Sequence, residues 1–448
     1  MKTSYLLQGV NLLSSIIMLV LILAYLDPGR YLQWVLFSTI SGGLIQLEGS
    51  MSVMMTRFIS RAPAVGGSGA LPRAAATARV VYHRFAFSCG LAMLLGGGAY
   101  LAAVNDGRFS PGWLYEWAIY CAAFIAFYSF AHYACLLIAL EKTQRYATIA
   151  LVSRIVSVVA SVALVVAGFG MLGMVTGVAL AFGIGGLAYQ RAGRAALSQL
   201  MRDHPADPVL PRPVFATSTI FIHAGFVFGS YFLYRAALLL AAATSADTAF
   251  QASFGLALQI FALVVMIALV PLNMRVAPLV AAVSSSNRSL ISREAATLGI
   301  YVNLVFIVTA ALLVAFAGAV DHILPSHGAS LPPRIVLIEM SFAFLVEINI
   351  LVFVNVLLAA QKFRFVLDYY LSAATGIVLG IVAWRLGLAF HHALVLVPAS
   401  VQAVFALPAI IHHVRRESGI SFGEYARDFW LHLLLVLRHP IKVGLAFR

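Results

Sequence analysis

The chain has 448 residues, of which 62% are hydrophobic and only 10% charged, and its mean hydropathy is +0.96. Soluble domains carry about 25% charged residues, so composition excludes a water-soluble globular protein and points to an integral membrane protein. The net charge of +13 would suit a nucleic-acid partner, but the placement of the basic residues, given below, assigns it to membrane topology, and no nucleic acid is expected.

Twelve apolar segments are predicted, at 4–26, 32–55, 80–104, 113–140, 146–168, 170–190, 214–243, 248–274, 297–320, 333–360, 365–388 and 391–413. Each supplies the ~20 residues that a helix needs to cross a bilayer. Outer-membrane barrels show alternating segments of ~10 residues instead. The first segment is longer than the apolar core of a secretory signal. Ala24-Tyr25-Leu26 is a poor cleavage site, so the segment is expected to remain as span one.

Span one carries a polar line, Gln8, Asn11 and Ser15, at roughly helical spacing. Span two contains Glu48 and ends at Arg57. Either Glu48 takes part in ion coupling or it pairs with Arg57 or Arg84. Loop 61–79 is rich in Gly, Ala and Pro and is expected to be flexible. Its GGSG lacks the Lys-Ser/Thr of a phosphate loop, so no nucleotide site is expected. Cys89, Cys121 and Cys135 all fall inside spans and form no disulfide framework.

Span five holds Arg154, about eight residues in, or ~13 Å deep at 1.5 Å per residue. Ionisable groups at that depth face a cavity or a partner. Arg154 is therefore either the cationic wall of a cavity or half of an ion pair. Span six carries Gly173 and Gly177, and span eleven Gly376 and Gly380. Both are GxxxG pairs expected to mark close helix packing. Loop 188–212, with Pro205, Pro208 and Pro211, reads as a cytoplasmic linker between lobes 1–187 and 213–413, followed by a cytoplasmic tail 414–448.

Span seven brings Ser230, Tyr231, Tyr234 and Arg235 together on an otherwise apolar helix. They line a cavity with Asn11 of span one, or they bond between helices; Arg235 also lies near enough to the outer end to snorkel. Span eight ends at Arg275. Arg57 and Arg275 are either simple anchors or contacts for a phosphate at a cavity mouth. Span ten contains Glu347 near its middle, with Glu339, Asn349 and Asn355. Glu347 is a candidate proton or sodium site, or a structural partner of an arginine. His391/His392 and His412/His413 are adjacent pairs at span ends. Adjacent residues point in different directions on a helix, so no metal site is expected. No Ser/His/Asp or Cys/His grouping stands out. The tail run FWLHLLLVL is too short to span and is expected to lie in the membrane interface.

The basic residues orient the chain. Nearly all of the 29 Lys and Arg residues fall in the termini and the even-numbered connections; only Arg30, Arg108, Arg334 and Arg385 lie on the other side, with Arg154 and Arg235 inside spans. Positive charge marks the cytoplasmic side, so both termini are expected there, next to anionic lipid headgroups.

The chain also repeats itself. LLIALEKTQRY (Leu136–Tyr146) is echoed by VLLAAQKFRF (Val356–Phe365), and VMMTRF by PLNMRV. Ala139 and Ala359, Lys142 and Lys362, and Asp27 and Asp247 are each 220 residues apart. With six spans in each half, the two copies enter the membrane from the same side. The predicted fold is all-α and polytopic, twelve transmembrane helices in two six-helix lobes related as a parallel repeat. That plan is typical of transporters.

The opening GVNLLSSIIMLVLILAYLDPGRYLQW, the span ends IALEKTQRY and LAAQKFRF, and LVPLNMRVAPLVAA together resemble bacterial polysaccharide flippases. These belong to the multidrug/oligosaccharidyl-lipid/polysaccharide (MOP) exporter superfamily. Tyr31 and Trp34 stand at the entry to span two without the family's intervening Gly. The resemblance implies a MATE-like, V-shaped pair of lobes, alternating access, and a lipid-linked oligosaccharide as substrate in the bacterial inner membrane. It also implies membrane lipids and polysaccharide polymerase machinery as partners. It implies no cofactor beyond an H+ or Na+ coupling ion. In such flippases cavity cations meet the pyrophosphate; no local motif transfers that role, and depth nominates Arg154 and Arg235.

Two other readings stay open. A drug exporter of the same superfamily would favour an acidic cavity, against which two deep arginines argue. A membrane glycosyltransferase or polymerase would need a large outer loop or an acidic motif, whereas Asp106 and Asp321 stand alone in short loops. A non-enzyme is expected. A major-facilitator transporter is disfavoured because the loop after span two lacks a DRxGRR-like sequence.

Overall fold

The computed structural model describes residues 2–66, 70–107, 109–203, 217–244, 247–285, 287–319, 330–360, 362–419 and 422–438, and their regular structure is entirely helical. The first half contains α1 (Lys2–Tyr25), α2 (Pro28–Gly66), α3 (Ala70–Val104), α4 (Trp113–Ala139), α5 (Thr143–Leu164) and α6 (Gly170–Asp203). The second contains α7 (Thr217–Thr244), α8 (Thr248–Ala268), α9 (Val270–Ser284), α10 (Arg288–Ala315), α11 (Arg334–Ala359), α12 (Phe365–Arg385) and α13 (His392–Ser418), followed by the tail helix α14 (Phe422–Arg438).

The chain forms two compact units. One takes in Met1–Tyr231 and Leu239–Ala252; the other takes in Phe232–Leu238 and most of the chain from Ser253 onward. The boundary therefore runs through α7. The predicted linker lies partly outside the described residues, and α6 runs helical past 190 as far as Asp203.

Eight helical stretches among the described residues are long and apolar enough to cross a membrane. One, the 57-residue Thr143–Gln199, carries two crossings. It is broken where Gly168 (φ +89°) and Gly170 (φ +50°) reverse the chain between α5 and α6, a conformation that costs a residue with a Cβ. Helix α2 is not among the eight. Gln33, Thr39 and Ser41 lower its hydropathy, and all three are buried against protein rather than exposed.

Two expectations about helix ends need correction. Loop 61–79 was expected to be flexible. Instead α2 continues to Gly66 and α3 begins at Ala70, with Ala62, Ala70, Ala74, Ala75 and Ala78 buried. Alanine has the highest helix propensity and packs closely, so an Ala-rich stretch read as a loop is a helix hairpin. Span eight divides at Leu269 into α8 and α9, with Pro271 in the first turn of α9, where a missing N–H costs nothing.

In the first unit α6 packs along α4 and α5. A Cβ at Gly177 would fall 2.6 Å from the Ser161 amide nitrogen, and one at Gly173 would fall 3.0 Å from Leu164 and Val165. In the second unit Gly376 and Gly380 do the same for α12 against α13, at Pro398 and Ala393. Small residues let helix backbones approach, which is the main source of helix association where lipid is the solvent. The aromatic core of the first unit centres on Trp117, which stacks on Tyr120 (6.1 Å between centroids, 10° between planes). The outward stripe Val152, Ile155 and Val159 on α5, continued by Val166 just beyond its end, is exposed, a face that suits lipid and not water.

The repeat is visible in the hydrogen bonds. Asp27 and Asp247 each cap a helix, accepting from the backbone N–H three residues on, Arg30 and Phe250, both at 3.0 Å. Helices α4 and α11 end on Ala139 and Ala359.

Candidate functional site

Helix α5 carries Arg154 inward toward α1. Its Nη2 donates to Ser15 Oγ at 3.0 Å, and Ser15 Oγ donates to the Asn11 carbonyl at 2.8 Å. The i to i+4 spacing of Asn11 and Ser15 places both on one face of α1. Arg154 Nε is buried and has no acceptor among the described residues, and no carboxylate there forms an ion pair with Arg154. A buried donor without an acceptor costs about 1–3 kcal/mol, more when charged. The ion-pair alternative for Arg154 thus has no support among the described residues.

The remaining nominated residues are spread over both units. Tyr231 on α7 donates to the Ser38 carbonyl on α2 at 3.3 Å, and its hydroxyl fills the space left by Gly42. Arg235 is partly exposed on α7. Tyr234 lies on the same helix, but its side chain is outside the described residues. Arg57 is exposed on α2. Arg275 on α9 is held by Glu294 of α10 at 3.0 Å, so the anchor reading has a named partner.

The two nominated carboxylates share a mode of support. Glu347 on α11 is buried and accepts from the Tyr369 hydroxyl of α12 at 3.1 and 3.4 Å. Glu48 on α2 accepts from the Tyr82 hydroxyl of α3 at 3.1 Å. Among the described residues Glu48 makes no ion pair with Arg57 or Arg84, because the buried phenol, which also meets Cys135 Sγ at 3.1 Å, sits over it instead. Asn349 of span ten pairs reciprocally with Asn303 of α10, at 2.9 and 3.0 Å, a closed amide pair that joins two helices.

Sequence reasoning passed over Glu116. It lies buried in the first turn of α4, where Gln33 Nε2 and Ser110 Oγ donate to it at 2.5 and 2.8 Å. The Ser110 amide donates in turn to Gln33 Oε1 at 3.1 Å. A carboxylate in a helix's first turn is stabilised by the positive end of the helix, and that position was the available signal. Also missed was the convergence of His391 and His392, whose rings lie 4.2 Å apart and face Glu339. Their Cβ atoms diverge, but imidazole is long enough for the two rings to come back together.

No protein-family model matches the sequence, and no curated protein matches it. Solved structures do. An inward-facing multidrug resistance MATE family transporter of the MOP superfamily superposes with a TM-score of 0.64 at 11% identity, over 91% of this chain and 95% of that one. The lipid II flippase MurJ, in its inward closed conformation, gives 0.62 at 10% identity, over 98% and 93%. An outward-facing MATE family transporter gives 0.58 at 14% identity, over 92% and 94%. The chain is thus a multi-pass membrane protein with the two-lobe, all-helical fold shared by MATE transporters and MurJ. Identities this low carry the fold and nothing finer.

Proposed function

We propose that the protein is a flippase of the MOP superfamily that moves a polyprenyl-pyrophosphate-linked oligosaccharide outward across the bacterial inner membrane by alternating access. The observation that carries this reading is Arg154: a membrane-embedded guanidinium held by one serine hydroxyl, with Nε buried and no acceptor among the described residues. A pyrophosphate supplies the missing acceptors. Arginine's planar fork meets two phosphate oxygens at once, and such charge-assisted bonds are about twice as strong as neutral ones. Asn11, Arg57, Tyr231, Tyr234, Arg235 and Arg275 are proposed as further substrate-contacting residues, each tested by its own substitution.

Glu347 and Glu48 are the proposed H+ or Na+ coupling groups. Each is a membrane carboxylate that accepts from a tyrosine hydroxyl of the neighbouring helix. Polysaccharide polymerase machinery is the proposed downstream partner, and both termini are proposed to be cytoplasmic.

The test is reconstitution into liposomes with a fluorescent polyprenyl-pyrophosphate sugar and a membrane-impermeant quencher. Wild-type protein should expose the probe to the quencher, and Arg154→Ala should not. Flipping by Arg154→Ala at the wild-type rate would overturn the reading. A multidrug exporter is the second reading, favoured by Glu48, a membrane carboxylate suited to organic cations. Uptake of an organic cation with no flipping of the lipid probe would select it.

A further inference from the structure

Helix α13 opens with His391 just before His392, the first residue of a π-helical turn spanning His392–Leu396. Such turns are rare and recur at functional sites. Across from it, Glu339 of α11 is only 5% exposed. One of its oxygens pairs with His392 Nδ1. The other, Oε2, is buried and has no hydrogen-bond partner among the described residues. A buried carboxylate oxygen left without a donor is costly, and histidine alone does not satisfy it.

One ligand atom from each of Glu339, His391 and His392 lies within 4.8 Å of the other two. We propose that these three residues form a binding site for a divalent transition-metal ion of the zinc class, with a fourth position left for water. Two imidazoles and one carboxylate make a zinc-competent donor set that closes around a tetrahedral ion at bonds of about 2.1 Å. Ligand atoms on such an ion stand about 3.4 Å apart, so side-chain rotation within the first turn of α13 is enough to close the set. Metal binding uses neutral imidazoles and an ionised carboxylate, and the Glu339 charge offsets part of the cation's. His412 and His413 do not repeat the arrangement: His413 pairs with Asp368 at 2.7 Å, and His412 is exposed.

The site stands apart from the flippase reading, and its test needs no substrate. Full-length protein carrying a non-histidine affinity tag is purified in detergent and titrated with Zn2+ against a fluorescent chelator, with Co2+ as an optical probe. One Zn2+ should bind per chain, and Co2+ should show the visible absorption of a tetrahedral N/O site. Loss of a ligand should weaken binding by more than the roughly 10- to 100-fold that losing an outer-shell partner costs. His391→Ala and Glu339→Gln should both do so, and His412→Ala should not. His391 makes no ion pair among the described residues, so its variant keeps the reading open if Glu339→Gln fails to fold. Absence of stoichiometric Zn2+ binding by the wild type, or wild-type affinity in His391→Ala, overturns the proposal.

Discussion

Lys142 and Lys362 make the same backbone bond 220 residues apart. Each amide reaches the carbonyl five residues back, Leu137 at 2.8 Å and Leu357 at 2.9 Å. This is the longer bond of a Schellman ending, which satisfies a carbonyl the helix would otherwise leave open. At the first site the intervening residue is Glu141, an exposed non-glycine at φ +59°. A left-handed conformation costs a residue with a Cβ roughly 1–2 kcal/mol. Glu141→Gly is expected to raise the apparent melting temperature of the purified protein, by a shift equivalent to about 1 kcal/mol once glycine's extra chain entropy is set against the relief. A scan showing a lower midpoint would place an unseen role on the Glu141 side chain.

The glycines of α6 give opposite expectations. Gly177 faces Ser161, with no room for a methyl group, whereas nothing lies within 4 Å of a Cβ at Gly183. Gly177→Ala should destabilise by about 1–3 kcal/mol through overpacking. Gly183→Ala should be neutral or stabilise by up to ~1 kcal/mol through helix propensity. Equal melting temperatures for the two variants would refute the packing account of the GxxxG pair.

Arg154 and Ser15 should separate by substitution. Ser15→Ala removes one charge-assisted bond, worth about 1.5–3 kcal/mol, and should slow lipid flipping while leaving it measurable. Arg154→Ala should abolish flipping at normal membrane abundance, and Arg154→Lys should recover only part of it because ammonium lacks the fork. If Arg154→Ala instead fails to accumulate, the arginine holds α1 to α5 and the cavity role is lost.

Glu347 is tested by removing its charge and not its shape. Glu347→Gln mimics the protonated carboxyl and keeps the Tyr369 bond. If Glu347 carries the coupling ion, flipping in liposomes should no longer respond to an imposed H+ or Na+ gradient. Tyr369→Phe should retain coupling with about 1 kcal/mol less stability. An unaltered gradient response in Glu347→Gln removes this residue from the coupling mechanism.

Topology is tested by reporter fusions at residues 200 and 325, which should read cytoplasmic and external respectively. The reverse pattern would invert every statement about sides.

The spans were legible because lipid imposes a length and a composition on each, and the repeat because helix boundaries recur: Asp27 and Asp247 cap helix starts, and Ala139 and Ala359 are the last residues of their helices. The Ala-rich turn at 61–79 was misread because alanine signals either a flexible loop or a tight helix, and only burial of Ala74 and Ala78 decides between them. Arg154, Asn11 and Ser15 were each visible as polar residues in apolar helices, but their meeting required the packing of α1 on α5, a contact between positions 139 residues apart that no local pattern encodes. Glu339 was seen, and its histidines were dismissed by a rule about Cβ directions that ignores how far an imidazole reaches.

The tail helix α14 is fastened rather than trailing. Asp428 accepts from Ser292 of α10 at 2.7 Å, and the Tyr425 hydroxyl occupies the notch over Gly299. A helix attached at two points one turn apart travels as a rigid outrigger when α10 tilts. Its outward Trp430, Leu431 and Leu434 are 61%, 53% and 48% exposed and are the side chains that would ride in the headgroup layer. If the proposed alternating access moves α10, this amphipathic blade moves with it along the lipid surface, and the thickness, fluidity and charge of the leaflet then load the motion.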